Sequence, residues 1–247
     1  MDLRERGAQE RRHPWEVARS RFFRRLVAEH GDLASLGAVL DIGAGDSWFA
    51  RELLADLAPG VPVVCWDVHY DAADLAAAPP GVTRTVGAPD RNFDLVTALD
   101  VLEHVDDDEA LLREQLVPAM TPDGLAVVSV PAHPGLWSDH DRMLDHRRRY
   151  RPRDFRALVA RHLDIVATGS LFASLLAPRL VEVAIERAGR HPDPAGVGRW
   201  GGGRRLTAAI VAALDLDAGT AAWLGRRGVP VPGLSAWAVG RLPEASR

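Results

Sequence analysis

An acid followed at once by two glycines closes a short apolar run: Ala38-Val39-Leu40-Asp41-Ile42-Gly43-Ala44-Gly45-Asp46-Ser47. Apolar residues then recur at Phe49, Leu53, Leu54 and Leu57. This spacing predicts a strand, a tight glycine turn and a helix. Glycine carries no Cβ, so a ligand can lie against the bare amides of such a turn. Asp41 adds a fixed acceptor at the strand tip, and the combination reads as a nucleoside-cofactor site. A second group of reactive side chains lies far downstream, with His133, Trp137, His140, Asp141, His146, Arg148 and Tyr150 inside twenty residues. Histidine exchanges protons near neutral pH, so this stretch is where acid–base chemistry is expected.

Which cofactor is decided by spacing. A dinucleotide fingerprint needs a small residue at the third position of Gly-x-Gly-x-x-Gly/Ala, so that helix and strand can pack closely. Counting from Gly43, that position holds Trp48. The pattern Asp-x-Gly-x-Gly, with the acid before the first glycine, resembles motif I of the class I S-adenosylmethionine-dependent methyltransferases. That family often has a third glycine where this chain has Ser47, a small residue able to cap the following helix.

Three further segments extend the resemblance. Pro62-Val63-Val64-Cys65-Trp66-Asp67 predicts a buried strand ending in an acid about 26 residues after Asp41, near the offset of a ribose-binding carboxylate. Phe93–Asp100 reads as another strand, leading into Val101-Leu102-Glu103-His104-Val105, and Gly124–Pro131 reads as the last of the set. The Asp-Val-Leu-Glu-His-Val type of segment carries, in that family, the loop beside the adenosine and methionine moieties. The resemblance implies a Rossmann-like α/β fold, a mostly parallel seven-stranded sheet with helices on both faces. It places S-adenosyl-L-methionine against Asp41, Gly43, Ala44, Gly45, Asp67, Val68, Leu99 and Asp100.

Composition narrows the rest. A chain of 247 residues, 47% hydrophobic, suits one α/β domain over 1–247. A formal net charge of −4 gives no footprint for nucleic acid. Cys65 is the only cysteine, which excludes a disulfide within the chain. No apolar segment of secretory length follows the N-terminal arginines, and no uninterrupted apolar run reaches bilayer length, so a cytoplasmic location is expected. The chain contains no lysine. A Schiff base, a Walker-type phosphate lysine and a Tyr-Lys hydride pair are therefore excluded, and arginine is too basic to serve as a general base.

The elements that must position these residues divide the chain. Residues 1–30 predict an Arg-rich helical leader with Trp15, Val17 or Ala18, Phe22 and Leu26 on one side. Its His13-Pro14-Trp15 resembles a leader helix in a bacterial branch of the family, where it lies near the cofactor mouth. Asp164–Ala167 and Gly233–Val239 predict the last two strands, an antiparallel pair, with a helical insertion or cap over 173–228 between them. The His191–Gly203 linker inside it reads as a mobile loop. Arg179, Arg187, Arg199, Arg204 and Arg205 flank the insertion, which either docks on a membrane or lipid-like substrate or packs on the core or a second subunit.

Methyl transfer to an oxygen, nitrogen or carbon requires alignment of the acceptor and, where its pKa is high, removal of a proton. His133, His140 and Asp141 are the candidate catalytic residues, with Asp139 and Asp145 as further orienters. Trp137, His146, Arg148 and Tyr150 are candidates for a small-molecule acceptor, and the Arg147–Arg149 triplet suits an anionic group on it. The same arginines and His146 could instead pin their loop to the acidic run Asp106–Glu109. A metal on His133, His140 and Asp141 lacks a compact ligand spacing, so none is expected. A protein of the same fold that binds the cofactor without transferring methyl is the alternative.

Overall fold

Strands that are buried on both faces need near-continuous apolar sequence, and the chain supplies it in short pieces. The computed structural model describes residues 12–190 and 200–244. Its strands are β1 (Val39–Ile42), β2 (Val63–Trp66), β3 (Val82–Thr85), β4 (Phe93–Leu99), β5 (Met120–Pro131), β6 (Asp164–Leu171) and β7 (Ser235–Arg241). They form one seven-stranded sheet in the order β3-β2-β1-β4-β5-β7-β6. All pairings from β3 to β5 are parallel, and β7 runs antiparallel to both β5 and β6.

Alternate side chains of each strand enter two separate cores. Val39, Leu95, Val127 and Val239 face one core with Phe22, Phe23, Leu53 and Leu214. Leu40, Val96, Val128 and Ala238 face the other with Leu112, Leu116, Phe155 and Leu158. The expected arrangement of a mostly parallel sheet with helices on both faces is therefore what the chain adopts. Six strands coincide with segments assigned from sequence, while β3 was not assigned. Strand β5 also begins earlier than Gly124, because Met120 already pairs with Phe93 before the register shifts at Phe93/Leu95.

The leader forms α1 (Pro14–His30), opened by a capping box in which His13 and Glu16 bond each other's backbone amides. Ala18, Phe22, Phe23, Leu26 and Val27 bury its inner face. Helices α2 (Trp48–Leu54), α3 (Ala72–Ala76), α4 (Asp108–Leu111), α5 (Asp139–Met143) and α6 (Pro152–Ala160) follow in chain order, and the segment before the last strand supplies α7 (Leu176–Arg187) and α8 (Arg204–Gly225). Residues 191–199 of the linker between them lie outside the described part. Helix α8 is long and apolar enough, by length and composition, to cross a membrane. Here it packs along α1 and β6 through Val211, Leu214, Ala218 and Ala221. Its acids are tied inward, Asp215 to Arg21 and Arg25, and Asp217 to the Ser174 hydroxyl. Of the arginines flanking the insertion, Arg179 is buried, while Arg187 is exposed and donates to the Gly135 carbonyl.

Candidate functional site

The chain winds outward from β1 to β3 and then returns to place β4 on the other side of β1, which opens a crevice beyond their carboxyl ends. A cavity of about 1090 Å³ occupies it. On the β1 side it is floored by the glycine turn. Gly43 has φ +64°, and a Cβ there would stand 2.6 Å from Val101. Gly45 has φ +53° and donates its amide to Asp67 Oδ2 at 2.9 Å. Asp67 Oδ1 accepts from the His69 amide at 2.9 Å. The acid ending β2 thus latches the turn while facing the cavity. Ser47 precedes α2 (Trp48–Leu54) with a left-handed φ of 62° and makes no cap hydrogen bond. Its hydroxyl instead meets Tyr70 and accepts from Arg84 Nε at 2.9 Å. The left-handed backbone explains why a glycine suits this position.

Two acids differ in what surrounds them. Asp41 is buried beneath the turn, does not line the cavity, and accepts from Thr97 Oγ1 at 2.5 Å. Burial pushes its carboxyl up to about 6, against the pull of that hydroxyl. A carboxyl whose folded pKa lies above its unfolded value adds stability below the unfolded value and loses it as pH rises through the folded one. The wild-type chain is therefore expected to lose up to about 3 kcal/mol from this group between pH 4 and pH 7. Urea midpoints of Asp41→Asn should lack that component, and parallel pH curves for the two proteins would refute it. Glu103, by contrast, lines the cavity with no solvent exposure, and neither of its oxygens has a partner among the described residues. Burial, and then the nearby Asp100, push its carboxyl well above the ordinary range.

The downstream residues separate into two groups. His140, on α5 (Asp139–Met143), and His146 line the cavity. His133, Trp137, Asp141, Arg148 and Tyr150 do not. Asp141 is fully buried and accepts from Ser138 N at 2.9 Å, His146 Nδ1 at 2.9 Å, Arg149 Nε at 2.7 Å and Arg179 at 3.2 Å. Burial would raise its carboxyl, but His146 and Arg149 hold it well below the usual range. Arg148 donates to the Val105 and Asp106 carbonyls and pairs with Asp108 at 3.2 Å. The Tyr150 hydroxyl donates to Asp108 at 2.6 Å, and Arg147 pairs with Asp106 at 2.6 Å. The loop is thus pinned to the acidic run, and Arg148 spends donors there instead of facing the cavity.

A family model described as a methyltransferase domain matches residues 10–171. The chain belongs to that methyltransferase family. With the family goes S-adenosylmethionine as methyl donor. Solved structures share the fold. The N-methyltransferase NodS of Bradyrhizobium japonicum, in complex with S-adenosyl-L-homocysteine, is 14% identical with a TM-score of 0.53, covering 94% of this chain and 89% of its own. The [4+2]-cyclase SpnF is 22% identical with a TM-score of 0.55, covering 93% and 83%. Phosphoethanolamine N-methyltransferase 2 of Haemonchus contortus, in complex with S-adenosyl-L-methionine, is 15% identical with a TM-score of 0.55, covering 93% of this chain and 53% of its own. No curated protein matches the chain.

The cavity of this methyltransferase fits its cofactor on chemical grounds. Gly43 and Gly45 present backbone without side chains to the cavity, and Asp67, Val68, Leu99 and Asp100 line it with them. Asp100 is held by Ser129 Oγ at 2.8 Å and by Arg19 at 2.8 Å. Ala44 is buried behind the turn and does not line the cavity. Sequence reasoning did not single out Glu103 as a site residue, although it lies inside the Val101–Val105 segment that the resemblance places beside the cofactor. It missed Arg179 as well, which reaches the cavity wall from α7 only through the fold.

Proposed function

We propose that this methyltransferase passes a methyl group to a small-molecule acceptor held between α1, the 139–149 loop and α7. One observation carries the reading: a single cavity joins the glycine turn to that second region. At about 1090 Å³ it exceeds the ~300–1,000 Å³ clefts that enclose one drug-sized ligand, so cofactor and acceptor can share it. Trp15 and Phe172 offer apolar walls there, while Arg179 and Glu182 offer polar contacts.

Bound S-adenosylmethionine supplies an electrophilic methyl on sulfonium, and the carbon–sulfur electron pair returns to sulfur as the acceptor bond forms. The chain's own part is to hold and dry the reactants. Asp67 would accept the ribose hydroxyls, and the Gly43–Gly45 turn would take the cofactor against its amides. His140, on the cavity wall, would take the acceptor's proton when the nucleophilic atom carries one.

Calorimetry should show micromolar binding of S-adenosylhomocysteine and none of NAD. Methyl-labelled S-adenosylmethionine, incubated with a panel of small alcohols, phenols and amines, should give labelled product with an equal amount of S-adenosylhomocysteine. Binding without product across the panel would favour a protein that uses this fold without methyl transfer. NAD binding alone would overturn the reading.

A further inference from the structure

Glu103, His104 and His146 converge on one wall of the cavity. One ligand atom from each lies within 4.8 Å of the other two. We infer that these three side chains form a divalent-cation site open to the cavity. Two imidazoles and one carboxylate are the donor set of catalytic centres that keep a coordination position free for water or substrate. Ligands about 2.1 Å from such an ion stand roughly 3.4 Å apart in a tetrahedral set. The three side chains therefore close onto one ion by moving roughly an ångström and a half at most.

Two observations point to a ligand rather than to a chance grouping. The first is Glu103. It is wholly buried on the cavity wall with both oxygens unpartnered among the described residues, and such groups are rarely left so. A proton would remove its charge but leave a hydroxyl donor without an acceptor. A cation satisfies both oxygens' demand at once. The second is His146. Its Nδ1 is held at 2.9 Å by Asp141, which leaves Nε2 as the nitrogen available to a metal. Orientation of a metal-binding imidazole by a carboxylate on its far nitrogen is the usual supporting arrangement. The nearby cation Arg149 is compensated by that same Asp141 at 2.7 Å and does not oppose a metal on its own account. The two imidazole rings stand edge to face with centroids 4.7 Å apart.

An ion here has open positions toward the cavity, so the acceptor it suits carries an oxygen ligand, a hydroxyl or a pair of adjacent hydroxyls. The metal would lower the pKa of that hydroxyl and hold it in place. His146 then serves as a ligand, and His140 remains the residue for the departing proton. The role toward the acceptor rests on the proposed function; binding of the ion does not. The site also differs from the trio His133, His140 and Asp141 weighed in the sequence, of which only His140 reaches the cavity.

The test is calorimetric titration of chelator-stripped full-length protein with zinc chloride and with manganese chloride. Metal content after dialysis is measured in parallel. One ion per chain is expected, with Glu103→Gln, His104→Ala and His146→Ala each weakening binding at least 50-fold. S-adenosylhomocysteine affinity, measured on the same samples, should stay within a few-fold and certify folding. Absence of binding in the wild type overturns the site, as does an ion whose affinity survives Glu103→Gln and His104→Ala. Should Glu103→Gln fail to bind S-adenosylhomocysteine, His104→Ala decides alone. Loss of S-adenosylhomocysteine binding in the wild type, with metal binding intact, would strike at the proposed function and leave the ion site standing.

Discussion

Asp141→Ala is expected to lower the melting temperature by roughly 10 °C while leaving the residual folded protein able to bind S-adenosylhomocysteine. The carboxylate has no solvent exposure and is shared by His146, Arg149 and Arg179, with Ser138 donating from both its amide and its hydroxyl. Arg149 and Arg179 are themselves nearly buried. Removing the acid leaves the Arg149 guanidinium out of water without its counter-charge and takes from Arg179 one of its two acidic partners, Glu182 remaining at 2.8 Å. Breaking a buried pair in this way costs about 3–5 kcal/mol, and a chain of this size loses roughly 2–4 °C per kcal/mol. Asp141→Asn keeps the volume and part of the hydrogen bonding, so its loss should be smaller. The network also joins the 138–149 loop to α7, which makes it the clasp of the proposed acceptor half. A variant that keeps its melting temperature within 2 °C but loses turnover would instead make Asp141 part of the chemistry, as its place among the histidines suggested.

Residues that act locally were legible in the sequence, and residues that act through the fold were not. Asp41, Gly43, Gly45 and Asp67 announce themselves because a strand tip, a turn and the next strand tip are fixed by short-range pattern. Their contacts, Gly45 to Asp67 and Asp41 to Thr97, link parallel strands or adjoining turns. β3 escaped because Val82-Thr83-Arg84-Thr85 is short and polar on one side. Its β-branched residues after the Pro-Pro-Gly turn were the available signal. The acceptor half was harder. The His/Asp/Arg-rich stretch looks reactive throughout, yet half of it is spent on itself. Arg148 and Tyr150 close on the acidic loop some forty residues earlier, and Asp141 meets Arg179 across a similar separation. Composition cannot distinguish a charge that faces a cavity from one that faces another charge. Glu103 shows the converse: an ordinary acid in sequence stands out once both its oxygens are buried without partners among the described residues.

Asp67→Ala should weaken S-adenosylhomocysteine binding at least 100-fold. Two effects combine. The carboxylate accepts the amides of Gly45 and His69, each at 2.9 Å, and so holds the turn in the shape that its positive φ angles describe. In the proposed role it also accepts two ribose hydroxyls, and each hydrogen bond to a charged group is worth about 1.5–3 kcal/mol. Even the lower figure, counted twice, passes 100-fold. Affinity alone does not separate a lost latch from a lost ribose contact, and a double-mutant cycle does. An S-adenosylhomocysteine analogue lacking one ribose hydroxyl should bind the wild type at least tenfold more weakly than the parent, and bind Asp67→Ala no more weakly than the parent does. Equal weakening in both proteins would confine Asp67 to the turn. Asp67→Asn sharpens the distinction, because its amide presents donors where one oxygen accepted. It should fall between wild type and alanine, with the latch partly kept and one ribose contact reversed. The order wild type, asparagine, alanine, together with the vanished penalty for the deoxy ligand, is the signature of a carboxylate that shapes the turn and reads the ribose with the same two oxygens.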